Sequence, residues 1–442
     1  MTPAVAAIVP LMLGWLRTLL GRRPSPVEGP STAPPVTKTR PVPPGDAASA
    51  TPQQTRRDEP AEGAAAAADP LRFLGRGVSY GLCDHRGDEA KLRRAGLPGL
   101  AHPREIATLL DISPERLRWL AFHHDAAAVS HYVQFTVPKR AGGVRTLAAP
   151  KAELKAAQRQ LLETLVSRLP AHKAAHGFVP GRSPATGAVH HTGRDLVVCL
   201  DLVDFFGSLT FPRVRGWLQH VGYSPAVATT LALLTTESPR RVFAVQGERR
   251  FVAAGPRSLP QGACTSPGLA NALAAPLDGR LHPFAASLGW RYTRYADDLT
   301  FSAAGSACAS LGGLLRGVRR ILSEEGFAEN AAKTRIQRRS GRQVVTGLVV
   351  NEGLSVPRPL RRRLRAILHA AAREGIEAQN REGHPDFAGW LRGQIAQVEY
   401  VDPEQGRPLR EAYERLTRDE APSVSQPGGV GTGGVEPGGI NE

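Results

Sequence analysis

Hydrophobic and polar positions divide the chain into a helical start, a strand-rich middle and a helical end. Ile106, Leu109 and Leu110, then Leu117 and Leu120, recur at helical spacing. Ser113-Pro114-Glu115 between them reads as a helix start: a capping Ser, a first-turn Pro, an acid at the positive end. Such a pair usually serves packing rather than DNA reading. From Tyr132 the pattern turns to strands. Tyr132 to Val137 alternates loosely, Gly142-Gly143 turns the chain, and Val144 to Ala148 returns, with Lys139, Arg140 and Arg145 as basic residues at its tip and on its return arm. A helix is expected over Lys151 to Leu169.

Leu196 to Leu200 is an unbroken apolar run of strand length, as for a strand covered on both faces. Thr265-Ser266-Pro267 opens a helix over Gly268 to Leu281. Arg291 to Tyr295 and Leu299 to Ser302 form the arms of a hairpin around Asp297-Asp298. Leu311, Leu314, Leu315, Val318, Ile321 and Leu322 make a helical stripe that stops at Gly326. Val344 to Val350 reads as one more strand. Strand, helical segment, helix, hairpin, helix and strand in this order suit an α+β fold with a split βαβ-like antiparallel sheet and helices on one face. A last helix carries Leu360, Leu364, Ile367, Leu368 and Ala371 on one side, with Arg358, Arg361, Arg362, Arg365 and Arg373 over the rest. That Arg density, with almost no acid until Glu374, points to phosphate contact rather than a plain solvated face.

Composition narrows the partners. The 442 residues carry a net charge of +16. Such a surface favours polyanions, with nucleic acid foremost. Four dispersed cysteines (Cys83, Cys199, Cys264, Cys308) form no zinc motif and suit a reduced cytoplasm. Ala4 to Leu16 is apolar but too short to span a bilayer, and no membrane role is expected. Residues 22–68 are Pro/Ala-rich and 423–442 Gly-rich, compositions that do not order themselves.

Three carboxylates carry the chemistry. Asp201 closes the buried apolar run, and Asp297 and Asp298 sit in the hairpin. A lone Asp-Asp pair is most often a solvated turn. Joined to a third carboxylate by the fold, the pair can hold divalent cations for nucleotidyl transfer, in which two Mg²⁺ ions lie about 3.5–4 Å apart. Asp297 is the expected indispensable ligand. Asp298, next in the turn, points elsewhere and supports it.

The surrounding blocks resemble reverse transcriptases, and among them the retron type, over roughly residues 100–370. The carrying residues are Phe135-Thr136-Val137-Pro138-Lys139 with Gly142-Gly143-Val144-Arg145, then Gly177-Phe178-Val179-Pro180-Gly181-Arg182-Ser183. Next come Asp201-Leu202-Val203-Asp204-Phe205-Phe206, Leu259-Pro260-Gln261-Gly262 through Asn271, Tyr295-Ala296-Asp297-Asp298, and Gly326-Phe327 through Lys333. Val345-Thr346-Gly347 stands where the retron group carries that tripeptide. Gly187-Ala188-Val189-His190-His191 stands at its Asn-Ala-x-x-His box, with Gly187 in place of the Asn.

The resemblance implies a right-hand polymerase: a 70–131 helical region, 132–350 fingers and palm, a 351–420 basic helical thumb, and flanks 1–69 and 421–442 outside the fold. It implies RNA-directed DNA polymerase activity with two Mg²⁺ ions. Asp201, Asp297 and Asp298, with the Leu202 carbonyl, would bind metal, and Lys333 would act as general acid. Lys139, Arg145, Phe206 and Gln261 would bind the deoxynucleotide triphosphate, and Phe206 would exclude a 2′-hydroxyl. Arg182, His191, Arg358, Arg361, Arg362 and Arg365 would meet RNA. The partner implied is a structured non-coding RNA, copied from a guanosine 2′-hydroxyl into a branched RNA–DNA molecule. A separate effector or toxin protein in phage defence is implied with it. The rival readings are a group II intron or diversity-generating enzyme, and an inactive RNA-binding relative.

Removal of the residues before about Leu71 is expected to leave polymerisation intact. Primer extension by the truncated protein checks this, and a dead truncation would contradict the linker reading.

Overall fold

The computed structural model describes residues 82–122, 126–138, 142–245 and 247–419. The N-terminal extension, the C-terminal tail and Lys139 lie outside the described residues. Three short helices come first: α1 (Glu89–Arg94), α2 (Pro103–Leu109) and α3 (Pro114–Ala121). At the last, Ser113 Oγ accepts the Arg116 N–H at 3.2 Å, the cap that the sequence announces. Strand β1 (Ala126–Ala127) follows. A long hairpin then pairs β2 (Tyr132–Pro138) with β3 (Val144–Pro150), and Arg145 lies opposite Val137. Helix α4 covers Ala152–Thr164 and ends sooner than its apolar spacing predicts, in a 3₁₀ turn at Val166–Arg168.

Helix α5 (Pro184–Ala188) leads to β4 (Leu196–Asp201). The segment 205–258, for which the pattern predicts only a helical segment without bounds, forms α6 (Phe205–Ser208), α7 (Phe211–His220), α8 (Pro225–Thr235) and the hairpin β5 (Arg240–Val245) with β6 (Glu248–Ala253). Helix α8 is buried on every side from Ala226 to Thr235, so no polar face marks its period. Helix α9 runs Ser266–Ser287, through Pro276 and Pro283 and beyond the expected end. Strands β7 (Arg291–Tyr295) and β8 (Asp298–Ala303), helix α10 (Leu311–Glu324) and strand β9 (Arg335–Arg338) complete the central region.

The central sheet is antiparallel in the order β7-β8-β4-β9. Strand β4 alternates between two cores. Leu196, Val198 and Leu200 join α9 and α10 in the larger one. Val197 and Cys199 face a second, built from α5, the hairpin β10 (Val344–Val345) with β11 (Leu348–Val349), and helices α11 (Arg358–Glu374), α12 (Phe387–Val401) and α13 (Pro403–Asp419). The single strand expected over Val344 to Val350 is therefore a tight hairpin. Thr346 (φ 46°) and Gly347 (φ 86°) both take the left-handed backbone that a two-residue reversal requires. Among the described residues no helix is long and apolar enough to cross a membrane.

A fully buried ion pair joins the sheet to α9. Arg294 on β7 donates from Nη2 to Asp278 at 2.7 Å and from Nε to both Asp278 oxygens at 2.9 and 3.1 Å. Its Nη1 donates to Asn271 Oδ1 at 3.0 Å and to the Ala296 carbonyl at 3.2 Å. Tyr292 OH completes the Asp278 shell at 2.7 Å. Removing one partner strands a buried charge. Arg294→Met is expected to cost about 3–5 kcal/mol in urea denaturation, with much of it restored in Arg294→Met/Asp278→Leu. Equal losses in the single and double variants would contradict this reading.

Candidate polymerase active site

The hairpin between β7 and β8 turns on two residues, Ala296 and Asp297, with Tyr295 paired to Asp298. Ala296 takes the left-handed backbone at φ 54°. Its carbonyl is held by the buried Arg294, and a Cβ on Gly177 would lie only 2.7 Å from its nitrogen. The turn is thus clamped from below and from one side. Asp298 opens β8 directly opposite Asp201, the last residue of β4. The Leu202 N–H donates to the Asp297 carbonyl at 3.0 Å. All three aspartates therefore lie at one end of the sheet.

Their electrostatics follow from that placement. Burial raises the Asp297 carboxyl and Asp201 adds to the rise, while Arg145 and Lys333 oppose it. Asp298 is pushed up to about 6, by burial first and then by the charges of Asp297 and Asp201. Lys333 Nζ donates to both Asp201 oxygens, at 2.9 and 3.1 Å, and Asn330 Nδ2 adds a third bond at 3.2 Å. Among the described residues no group of three or more His, Cys, Asp or Glu side chains is arranged to hold a metal ion. The donor set still fits a hard cation. It consists of oxygen ligands whose crowded negative charge a cation would relieve.

Other parts border this end. Arg145 is exposed on β3. The Gln261 carbonyl accepts the Ala148 N–H at 2.8 Å, tying the Gln-Gly block to the same hairpin arm. Gly262 (φ 129°) sits so close to Ala148 that a Cβ would fall 2.8 Å from its carbonyl oxygen. Phe206 is partly buried, its ring 5.5 Å from Phe205 and 6.4 Å from Phe178 between centroids.

The family described as reverse transcriptase (RNA-dependent DNA polymerase) matches residues 137–353. The retron Mx65 reverse transcriptase of Myxococcus xanthus is 48% identical over 336 residues, 76% of this chain and 75% of that protein. The chain belongs to the retron reverse transcriptases. The retron Mx162 enzyme of the same organism is 44% identical over 72% of this chain and 68% of its own length. The retron Ec86 enzyme of Escherichia coli is 31% identical over 63% and 81%. The protein is thus a retron's RNA-directed DNA polymerase, of a family that is generally metal-dependent.

One residue of this retron enzyme expected at RNA faces inward instead. His191 is fully buried, bonded through Nδ1 to Ser302 Oγ at 2.7 Å and through Nε2 to Thr293 Oγ1 at 2.8 Å. It pins the 3₁₀ turn after α5 to β7 and β8, and an RNA contact is closed to it. Arg182, partly buried, donates from Nη1 to the carbonyls of His172, Lys173 and Ala175 and so braces its own loop. At Gly187 the ring of His176 fills the side-chain space: a Cβ there would lie 3.3 Å from its Cβ and Cγ. On α11, Leu364, Leu368 and Ala371 enter the second core. Arg358, Arg362 and Arg365 stay exposed, and Arg361 is partly buried. Arg365 also donates to Gln405 at 2.9 Å. Lys139 lies outside the described residues.

Sequence reasoning missed Asn330 as a partner of Asp201, and Arg294, Asp278 and Asn271 as the support of the turn. The one available signal was Arg294 itself, a cation two residues after Tyr292 and so on the same face of the strand.

Burial pulls the His191 ring down to about 3, from an ordinary 6.5. Folding therefore favours the neutral ring. Its stabilisation is complete above about 6.5 and is lost as pH falls toward 3. Urea denaturation should show a smaller loss of stability between pH 7.5 and 4.5 in His191→Gln than in the native protein. An equal loss would rule out this ring as an acid trigger.

Proposed function

We propose that this polymerase copies part of its own structured non-coding RNA into a branched RNA–DNA molecule, starting from a guanosine 2′-hydroxyl. The placement of Asp201, Asp297 and Asp298 at one strand end, within a retron-type chain, is the observation that carries the reading. Asp201 and Asp297, supported by Asp298 and the Leu202 carbonyl, would hold two Mg²⁺ ions. Those ions would supply an activated primer oxygen and neutralise charge on the leaving pyrophosphate.

The chain's own residues do the rest. Arg145 and Lys139 pair with the triphosphate as charge-assisted donors. Phe206 lies under the sugar and leaves no room for a 2′-hydroxyl. Gln261 lines the nucleotide pocket from the block bound to β3. Lys333 keeps a proton at Nζ beside Asp201 and gives it to the departing pyrophosphate. The exposed Arg358, Arg362 and Arg365, with Arg361, track RNA phosphates, and recognition rests on RNA shape and backbone. Residues 132–350 act as fingers and palm, 351–420 as thumb, and 70–131 as a helical preface. In the cell the product would serve phage defence with a separate effector protein.

Purified protein with its RNA and deoxynucleotides is expected to yield RNase-resistant single-stranded DNA joined to RNA. Asp297→Asn should abolish that product while RNA binding persists in gel shift. Undiminished synthesis by Asp297→Asn would overturn the proposal.

A further inference from the structure

Three rings meet beside the carboxylates. Phe178, in the loop before α5, lies 6.4 Å from Phe206 and 6.4 Å from Tyr295 between ring centroids. Both separations fall within the range of interacting aromatic pairs. Phe178 is 37% exposed, which leaves a hydrophobic ring open to solvent at the active end of the sheet.

Its backbone is the second observation. Phe178 has φ 59°, a conformation that disfavours a bulky L residue, and it is the one aromatic among the described residues to adopt it. Two of the remaining four positive-φ non-glycine residues stand at the other rings: Asp204 (φ 42°) two positions before Phe206, and Ala296 (φ 54°) next to Tyr295. Strain gathered around one cluster persists only where its surroundings over-determine it, and such clusters mark functional sites.

The surroundings do so here. Asn271 Nδ2 donates to the Gly177 carbonyl at 2.8 Å, and Asn271 Oδ1 accepts from the buried Arg294. The His176 N–H donates to the Arg294 carbonyl and the Arg294 N–H to the Ala174 carbonyl, each at 2.7 Å. Arg182 ties the loop together through three carbonyls. Gly177 lies against the Ala296 turn with no space for a side chain. The backbone leading into Phe178 is thus held, yet its own ring is left exposed.

We infer that Phe178 is a specificity-determining residue: it completes an aromatic wall with Phe206 and Tyr295 against the sugar of the incoming deoxynucleotide. The inference rests on the proposed nucleotide role of Phe206. With Phe178 behind it, the Phe206 ring cannot swing aside to admit a ribonucleotide. Without Phe178 the wall yields, and discrimination falls while chemistry on the correct nucleotide continues.

The test compares kcat/KM for a deoxynucleotide and its ribonucleotide in the native enzyme and in Phe178→Gly, Phe178→Asn and Phe206→Ala. Gly and Asn both accept the left-handed backbone, so their melting temperatures should equal or exceed that of the native enzyme. Selectivity should nevertheless drop roughly tenfold in both, mostly through the ribonucleotide KM. Native selectivity in both Phe178 variants, with selectivity lost in Phe206→Ala, would overturn this inference alone. Native selectivity in Phe206→Ala would overturn the underlying reading of the pocket. Failure of both Phe178 variants to fold would show that the ring serves the fold, and would equally overturn the inference.

Discussion

The buried pair of Arg294 and Asp278 is the interaction on which the active end of this molecule depends. It links the strand before the Ala296-Asp297 turn to the long helix behind it. The same guanidinium reaches the Ala296 carbonyl in the turn and Asn271, which in turn holds Gly177. One cation thus fixes a strand, a helix, a turn and a neighbouring loop. Burying two charges is costly, and an apolar pair of similar volume often serves stability as well. What an apolar pair cannot do is aim a carbonyl and an amide at once, and such placement is needed where carboxylates must be positioned to a fraction of an ångström.

On that support the chain accumulates negative charge. Asp298 stands opposite Asp201, with Asp297 between strands, and burial raises the two hairpin carboxyls. Lys333 and Asn330 meet part of the charge through Asp201. A bound cation would relieve the charge that remains, as the proposed metal site requires. This is the electrostatic logic of a site whose ligands matter more in the working complex than in the isolated protein.

Much of this was legible in the sequence because it is local. An unbroken apolar run announces a covered strand, and two acids between strand-like arms announce a turn. The hairpin of β2 and β3, the Ser113 cap and the stripe of α10 are likewise local patterns. What escaped the reading is long-range. The family resemblance places His191 at RNA, and only the fold shows Thr293 and Ser302, more than a hundred positions away, closing around it. The three carbonyls that Arg182 gathers within its own loop are likewise a matter of folding. Helix α8 has no polar face to betray its period, and Thr346-Gly347 reverses what composition alone reads as one strand.

Cation binding tests the central claim most directly. Titration of the protein with Mn²⁺, followed by electron paramagnetic resonance at neutral pH with RNA and a non-hydrolysable deoxynucleotide analogue present, reports it without any turnover. The account predicts saturable binding by the native protein and its loss in Asp201→Asn. Equal binding in both would contradict a metal site built on these strand ends.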